Sequence, residues 1–107
     1  MWERLKVIEE RYLFLEKSIA DPEIIKDQQR WQKYTREHAE LMEIVTVYRR
    51  FRAVLQEIDD VTEMLNEKPD EEMVSFLREE SAKLNSEKES LEGKLKELLI
   101  PKDPNDE

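Results

Sequence analysis

Apolar residues recur along this chain at the spacing of a helix face. Leu5, Ile8, Tyr12, Leu15 and Ile19 follow one another at steps of 3, 4, 3 and 4, which lays one stripe down a helix, with Glu9, Glu10, Glu16 and Lys17 mostly off it. Trp2 stands three residues before Leu5 and extends the stripe into the first turn, as core or end-of-bundle packing. Pro22 disfavours helical backbone at Asp21, so this helix is expected over about 2–20. A second pattern begins after Asp27, whose carboxylate suits an N-cap. It runs Trp31, Tyr34, His38, Leu41, Val45 and Tyr48, and a further register takes over through Ile44, Val47, Phe51, Val54, Ile58, Val61 and Leu65. Two offset stripes make a wide apolar face on one long helix, expected over 28–67 and roughly 60 Å in length at ~1.5 Å per residue.

Lys68-Pro69-Asp70 interrupts the pattern. Pro69 cannot continue the preceding ladder, Asp70 can cap the next helix, and Glu71 and Glu72 suit its positive N-terminal dipole. Leu77, Leu84, Leu91 and Leu98 then recur every seventh residue, with Val74, Ser81, Lys88 and Leu95 as the complementary positions. The seam is therefore only half apolar at its centre, and Gly93 inside it costs ~1 kcal/mol of helix propensity relative to Ala. Pro101 ends the third helix, expected over 71–99. The fold class is thus all-α: an elongated, coiled-coil-like antiparallel three-helix bundle, joined by short connections at Pro22 and Pro69. The bundle is expected to occupy 1–100, with 101–107 a linker at a domain boundary, because that tail has no apolar residue beyond its prolines.

Composition narrows the chemistry. The 107 residues contain one glycine and no cysteine, which excludes a glycine-rich phosphate cradle, a disulfide framework, a thiol nucleophile and cysteine-ligated metal. No apolar run approaches the roughly 18 residues of a membrane span, and no signal-peptide core is present, so a cytoplasmic, membrane-free setting is expected. His38 is the only histidine, reads as a half-buried residue at a helix contact, and cannot form a two-imidazole metal site. Asp59 and Asp60 are adjacent, point about 100° apart on a helix, and read as a solvated face rather than an acid–base pair. Asp103, Asn105, Asp106 and Glu107 lack the glycine and distal glutamate of a calcium loop. No catalytic residue, cofactor or metal is expected, and so no enzyme.

Charge is unevenly divided. Residues 1–53 carry 11 basic against 10 acidic side chains, and residues 54–107 carry 7 against 17, giving the net −9. Arg49, Arg50 and Arg52, interleaved with Tyr48 and Phe51, are the candidate contact for a phosphate backbone, although the heptad pattern favours an exposed arginine face beside a buried aromatic stripe. The overall negative charge opposes any large unaided nucleic-acid footprint.

Several passages carry a family resemblance: Leu5-Lys-Val-Ile-Glu-Glu-Arg-Tyr12, Ala20-Asp-Pro-Glu-Ile-Ile-Lys-Asp27, Tyr34-Thr-Arg-Glu-His-Ala-Glu-Leu41 and, most specifically, Leu98-Leu-Ile-Pro-Lys-Asp-Pro-Asn-Asp-Glu107. Together they resemble the N-terminal helical domain of bacterial class I peptide chain release factors, and the terminal passage favours the branch that reads UAA and UAG. The resemblance implies a part of a protein that recognises stop codons and releases the nascent peptide. It also implies as partners the ribosome (its stalk-base protein and rRNA region), the GTPase release factor 3, and a glutamine methyltransferase acting on the full-length factor. The family's Gly-Gly-Gln loop has no counterpart, since Gly93 stands alone. Its Pro-x-Thr tripeptide is absent too, because Pro22, Pro69, Pro101 and Pro104 are followed two residues later by Ile24, Glu71, Asp103 and Asp106. A fragment with contacts but no catalysis is therefore expected, with Arg49, Arg50 and Arg52 as the ribosome-contact candidates. The alternative is a generic helical interaction or dimerisation module unrelated to translation. The wide face of the long helix also allows a homodimer of the isolated fragment.

Overall fold

A computed structural model describes residues 1–101, and among them every regular element is a helix: α1 (Trp2–Ser18), α2 (Pro22–Lys26), α3 (Gln28–Asn66) and α4 (Glu71–Leu98). The all-α class and the three principal helices follow the apolar spacing to within two residues at every end. The fourth element, α2, is an addition to the expected three. Asp21 takes extended backbone (φ −79°, ψ 121°) and accepts from the Glu23 amide at 3.0 Å, and Pro22 occupies the first helical position. The proline that ends α1 thus starts a five-residue helix of its own. The acidic tail at Asp103, Asn105, Asp106 and Glu107, and with it the expected linker beyond Pro101, lies outside the described residues.

The chain forms two compact units, Met1–Thr46 and Val47–Glu107. In the first, Leu5, Leu15, Ile24, Ile44 and Val45 are the buried apolar residues. Ser18 is buried with them and donates its hydroxyl to the Phe14 carbonyl at 2.8 Å, which satisfies that one hydroxyl. Asp27 ends α2 and opens α3: its carboxylate accepts from the Arg30 amide at 3.3 Å and its carbonyl from Trp31 N–H at 2.9 Å. The indole N–H of Trp31 donates to the Ile19 carbonyl at 3.1 Å, satisfying an acceptor that the end of α1 leaves open. Trp2, expected as core or end-of-bundle packing, is 43% exposed and so lies outside the core. It precedes Leu5, the first covered residue of the stripe, and sits on the flank of the helix rather than along the stripe's centre.

In the second unit, Val47, Tyr48, Phe51 and Val54 of α3 and Leu77, Leu84 and Leu95 of α4 are buried, with Leu99 just beyond. Toward Pro69 the same stripe of α3 is only half-buried at Ile58, Val61 and Leu65. Asp70 caps α4, accepting from the Met73 amide at 2.8 Å. Lys68 makes the turn with φ 54°, a left-handed conformation unusual for a residue with a Cβ.

Candidate functional site

Arg49, Arg50 and Arg52 lie on α3, all three exposed. Consecutive helical residues diverge by about 100°, so the three do not share a direction. Arg49 and Arg52 are three apart and stand on neighbouring positions of one face. The Arg52 guanidinium lies over the Tyr48 ring, 4.7 Å from its centroid, a cation–π contact that holds the charge above a buried aromatic. Arg50 turns toward α4 instead. Its Nε and Nη2 donate to the two carboxylate oxygens of Glu87 at 2.7 and 2.8 Å, and Nη1 lies 3.7 Å from Glu57. This two-point hydrogen bond lowers the Glu87 carboxyl below its ordinary value of 4.5 and raises the Arg50 guanidinium above its own. Of the three candidates, Arg50 is therefore partly committed to holding α3 against α4.

A second arginine constellation, in the first unit, was not singled out by spacing. Arg11 of α1 donates through Nε and Nη2 to Glu37 of α3 at 2.6 and 2.8 Å. The Arg11 hydrogen bond pulls the Glu37 carboxyl below its ordinary value, with partial burial opposing and Lys33 assisting. Arg11 also lies 5.1 Å from the Phe14 ring centroid and 5.6 Å from that of Tyr34, and the two rings meet edge to face at 5.9 Å. Arg30 covers Tyr34 at 5.6 Å. Both partners of the ion pair look like ordinary solvated charges in the sequence. Only the facing of two helices, 26 residues apart along the chain, unites them.

His38 stacks on Tyr12 with ring centroids 4.3 Å apart and planes 17° from parallel, the half-buried helix contact expected of it. Asp60 accepts from the side-chain Nε2 of Gln56 at 3.1 Å and, with Asp59, lies on an exposed face. Among the described residues no group of three or more histidine, aspartate or glutamate side chains is placed to hold a metal ion. No helix there is long and apolar enough to cross a membrane.

The chain matches the model of one protein family, the PCRF domain, over residues 8–107. It is 48% identical over 107 residues to Peptide chain release factor 1 of Carboxydothermus hydrogenoformans, covering 100% of this chain and 30% of that one. The proteins of the same name from Staphylococcus haemolyticus and Halalkalibacterium halodurans are 48% and 45% identical over the same 107 residues, with the same coverage. The chain thus spans about 30% of the length of the curated relatives it matches. No solved structure matches it.

Proposed function

The chain belongs to the PCRF domain family, and from that premise we propose that it acts in translation termination as the N-terminal helical part of a release factor. The observation that carries this reading is a likeness to Peptide chain release factor 1 that spans all 107 residues rather than one helix. Charged helices resemble one another locally, but the connections at Asp21-Pro22-Glu23 and the passage after Leu98 do not recur by helical periodicity.

In this reading residues 1–100 form the helical domain, and 101–107 lead toward the parts that recognise UAA and UAG and carry the Gly-Gly-Gln loop. The chain contains neither Gly-Gly-Gln nor Pro-x-Thr, so its own contribution is contact rather than chemistry, in the cytoplasm. Its exposed faces meet the protein and rRNA of the ribosomal stalk base and transmit the response to release factor 3. The methyltransferase acts on the full-length factor, away from this part. Arg49 and Arg52 suit a phosphate backbone because they share a face and remain at the surface.

In a release factor that carries this chain, Arg49→Glu/Arg50→Glu/Arg52→Glu is expected to weaken ribosome binding by about tenfold, more steeply at low salt. Because Arg50→Glu also breaks the pair with Glu87, Arg49→Glu/Arg52→Glu is measured beside it and keeps that pair intact. Unchanged affinity for the ribosome together with an unchanged response to release factor 3 would overturn the assignment.

A further inference from the structure

The end of the second unit nearest Pro69 is both the most acidic part of the chain and one of its least covered apolar surfaces. Residues 55–82 contain ten acidic side chains against two basic ones, Lys68 and Arg78, a net of −8 within a chain of −9. Within the same stretch Met64, Met73 and Phe76 are 51%, 45% and 55% exposed.

The ion pair between Arg50 and Glu87 shows how these residues face one another. The helices run antiparallel through the turn at Lys68–Pro69, so each step forward along α3 is matched by a step back along α4. With Arg50 opposite Glu87, Glu57 stands across from Glu80, Val61 from Phe76 and Met64 from Met73. The steps on α3 from Arg50 are 7, 4 and 3, and those on α4 from Glu87 are the same, so all eight residues lie on one side of the helical hairpin. This side therefore presents an apolar strip of Met64, Met73, Val61 and Phe76, flanked by Glu57 and Glu80. Beside it, Asp70, Glu72, Met73 and Phe76 line an open hollow of about 360 Å³.

We infer that this strip is a groove for a basic amphipathic helix of a partner protein. Two unbranched methionine side chains and one phenylalanine suit a helix that inserts apolar residues at i, i+3 and i+4, because methionine adapts its shape to the inserted group. Glu57 and Glu80 already lie 3.7 and 3.8 Å from Arg50 and Lys83, so the remaining acidic excess of residues 55–82 selects lysine and arginine on the flanks of that helix. The same charge opposes two other occupants. A nucleic acid would bring phosphates against a net of −8, and a second copy of this chain would bring an identically charged strip.

The test uses the 107-residue chain and a fluorescent Lys/Leu peptide of about five helical turns, with leucines at i, i+3, i+4 and i+7. The peptide is expected to bind, with amide shifts confined to residues 57–80 of the chain. A scrambled peptide of equal composition is expected to bind about tenfold more weakly. Met73→Ala/Phe76→Ala, which preserves every charge, is expected to weaken binding about tenfold, while Val7→Ala in the other unit leaves it unchanged. If the double variant loses helix by circular dichroism, Met64→Ala on the opposite wall carries the same expectation at about threefold. Equal binding of the scrambled peptide, parent-like affinity in the folded groove variants, or shifts elsewhere overturns the proposal. Concentration-dependent self-association that Phe76→Ala abolishes does so too, by assigning the strip to a second copy. None of these outcomes bears on the ribosome affinity assigned to Arg49 and Arg52.

Discussion

Gly93 offers a perturbation whose size can be worked from the structure before any measurement. It lies in α4, five residues before Leu98, at an exposed position with no positive φ. A methyl group added there meets nothing within 4 Å. Gly93→Ala therefore introduces no clash, buries no polar group and removes no contact. What remains is backbone freedom: glycine is ~1 kcal/mol less favourable than alanine inside a helix, chiefly because it loses more conformational entropy on folding. The second unit should accordingly gain about 1 kcal/mol. With a urea dependence of about 1–1.5 kcal/mol per molar for a chain of this size, the midpoint should rise by about 0.7–1 M with an unchanged slope. Thermal unfolding should move up by about 4–8 °C. Ala82→Gly is the mirror experiment. Ala82 is also exposed in α4, and its replacement should lower stability by about the same amount. The two sites stand about 16 Å apart along the helix, so the double variant should return to within about 0.5 kcal/mol of the parent. Circular dichroism at the helix band reads all four proteins. An unchanged or lowered midpoint in Gly93→Ala would refute the reasoning, because it would mean that another surface closes on position 93.

Two further perturbations test the turn and the ion pairs. Lys68 carries a left-handed backbone at φ 54°, so Lys68→Gly should stabilise the hairpin by about 0.5–1 kcal/mol in urea unfolding, and a loss of stability would refute that assignment. Glu37 and Glu87 both have carboxyls held below their ordinary value by arginine hydrogen bonds. The stability they contribute is therefore present above the unfolded carboxylate value of 4.5 and is lost as pH falls through the lower folded one. Glu37→Gln/Glu87→Gln should thus melt below the parent at about pH 7, with the gap narrowing as pH falls below 4.5. A gap that stays constant with pH would refute the pairing.

The parts of this chain that were legible in its sequence are those set by short-range geometry. Steps of three and four residues located the stripes, and Pro22, Pro69, Asp27 and Asp70 located the breaks, because a missing amide or a side-chain cap acts within one turn. The short α2 escaped although its signature, Asp21-Pro22-Glu23, is complete, since five residues are too few for any period to register. Trp2 stands in register with its stripe yet is 43% exposed, because spacing says nothing of how deeply a residue in the first turn is covered.

Charge obeys the same division. Arg49, Arg50 and Arg52 read as one basic cluster along the chain, yet the helix turns Arg50 toward Glu87, 37 residues away, while Arg49 and Arg52 keep another face. Half of that was available beforehand, because residues one apart on a helix diverge by about 100°. The identity of the opposing carboxylate was not, because it depends on the register of two helices across the turn at Lys68. Once that register is known it does more than explain one ion pair. It aligns Glu57 with Glu80 and Met64 with Met73, and so turns an excess of acid and a scatter of exposed apolar side chains into a bordered strip. A register shift of one residue would rotate α4 by about 100° relative to α3 and disperse that strip. The pair between Arg50 and Glu87 therefore marks the register on which the shape of the acidic end depends.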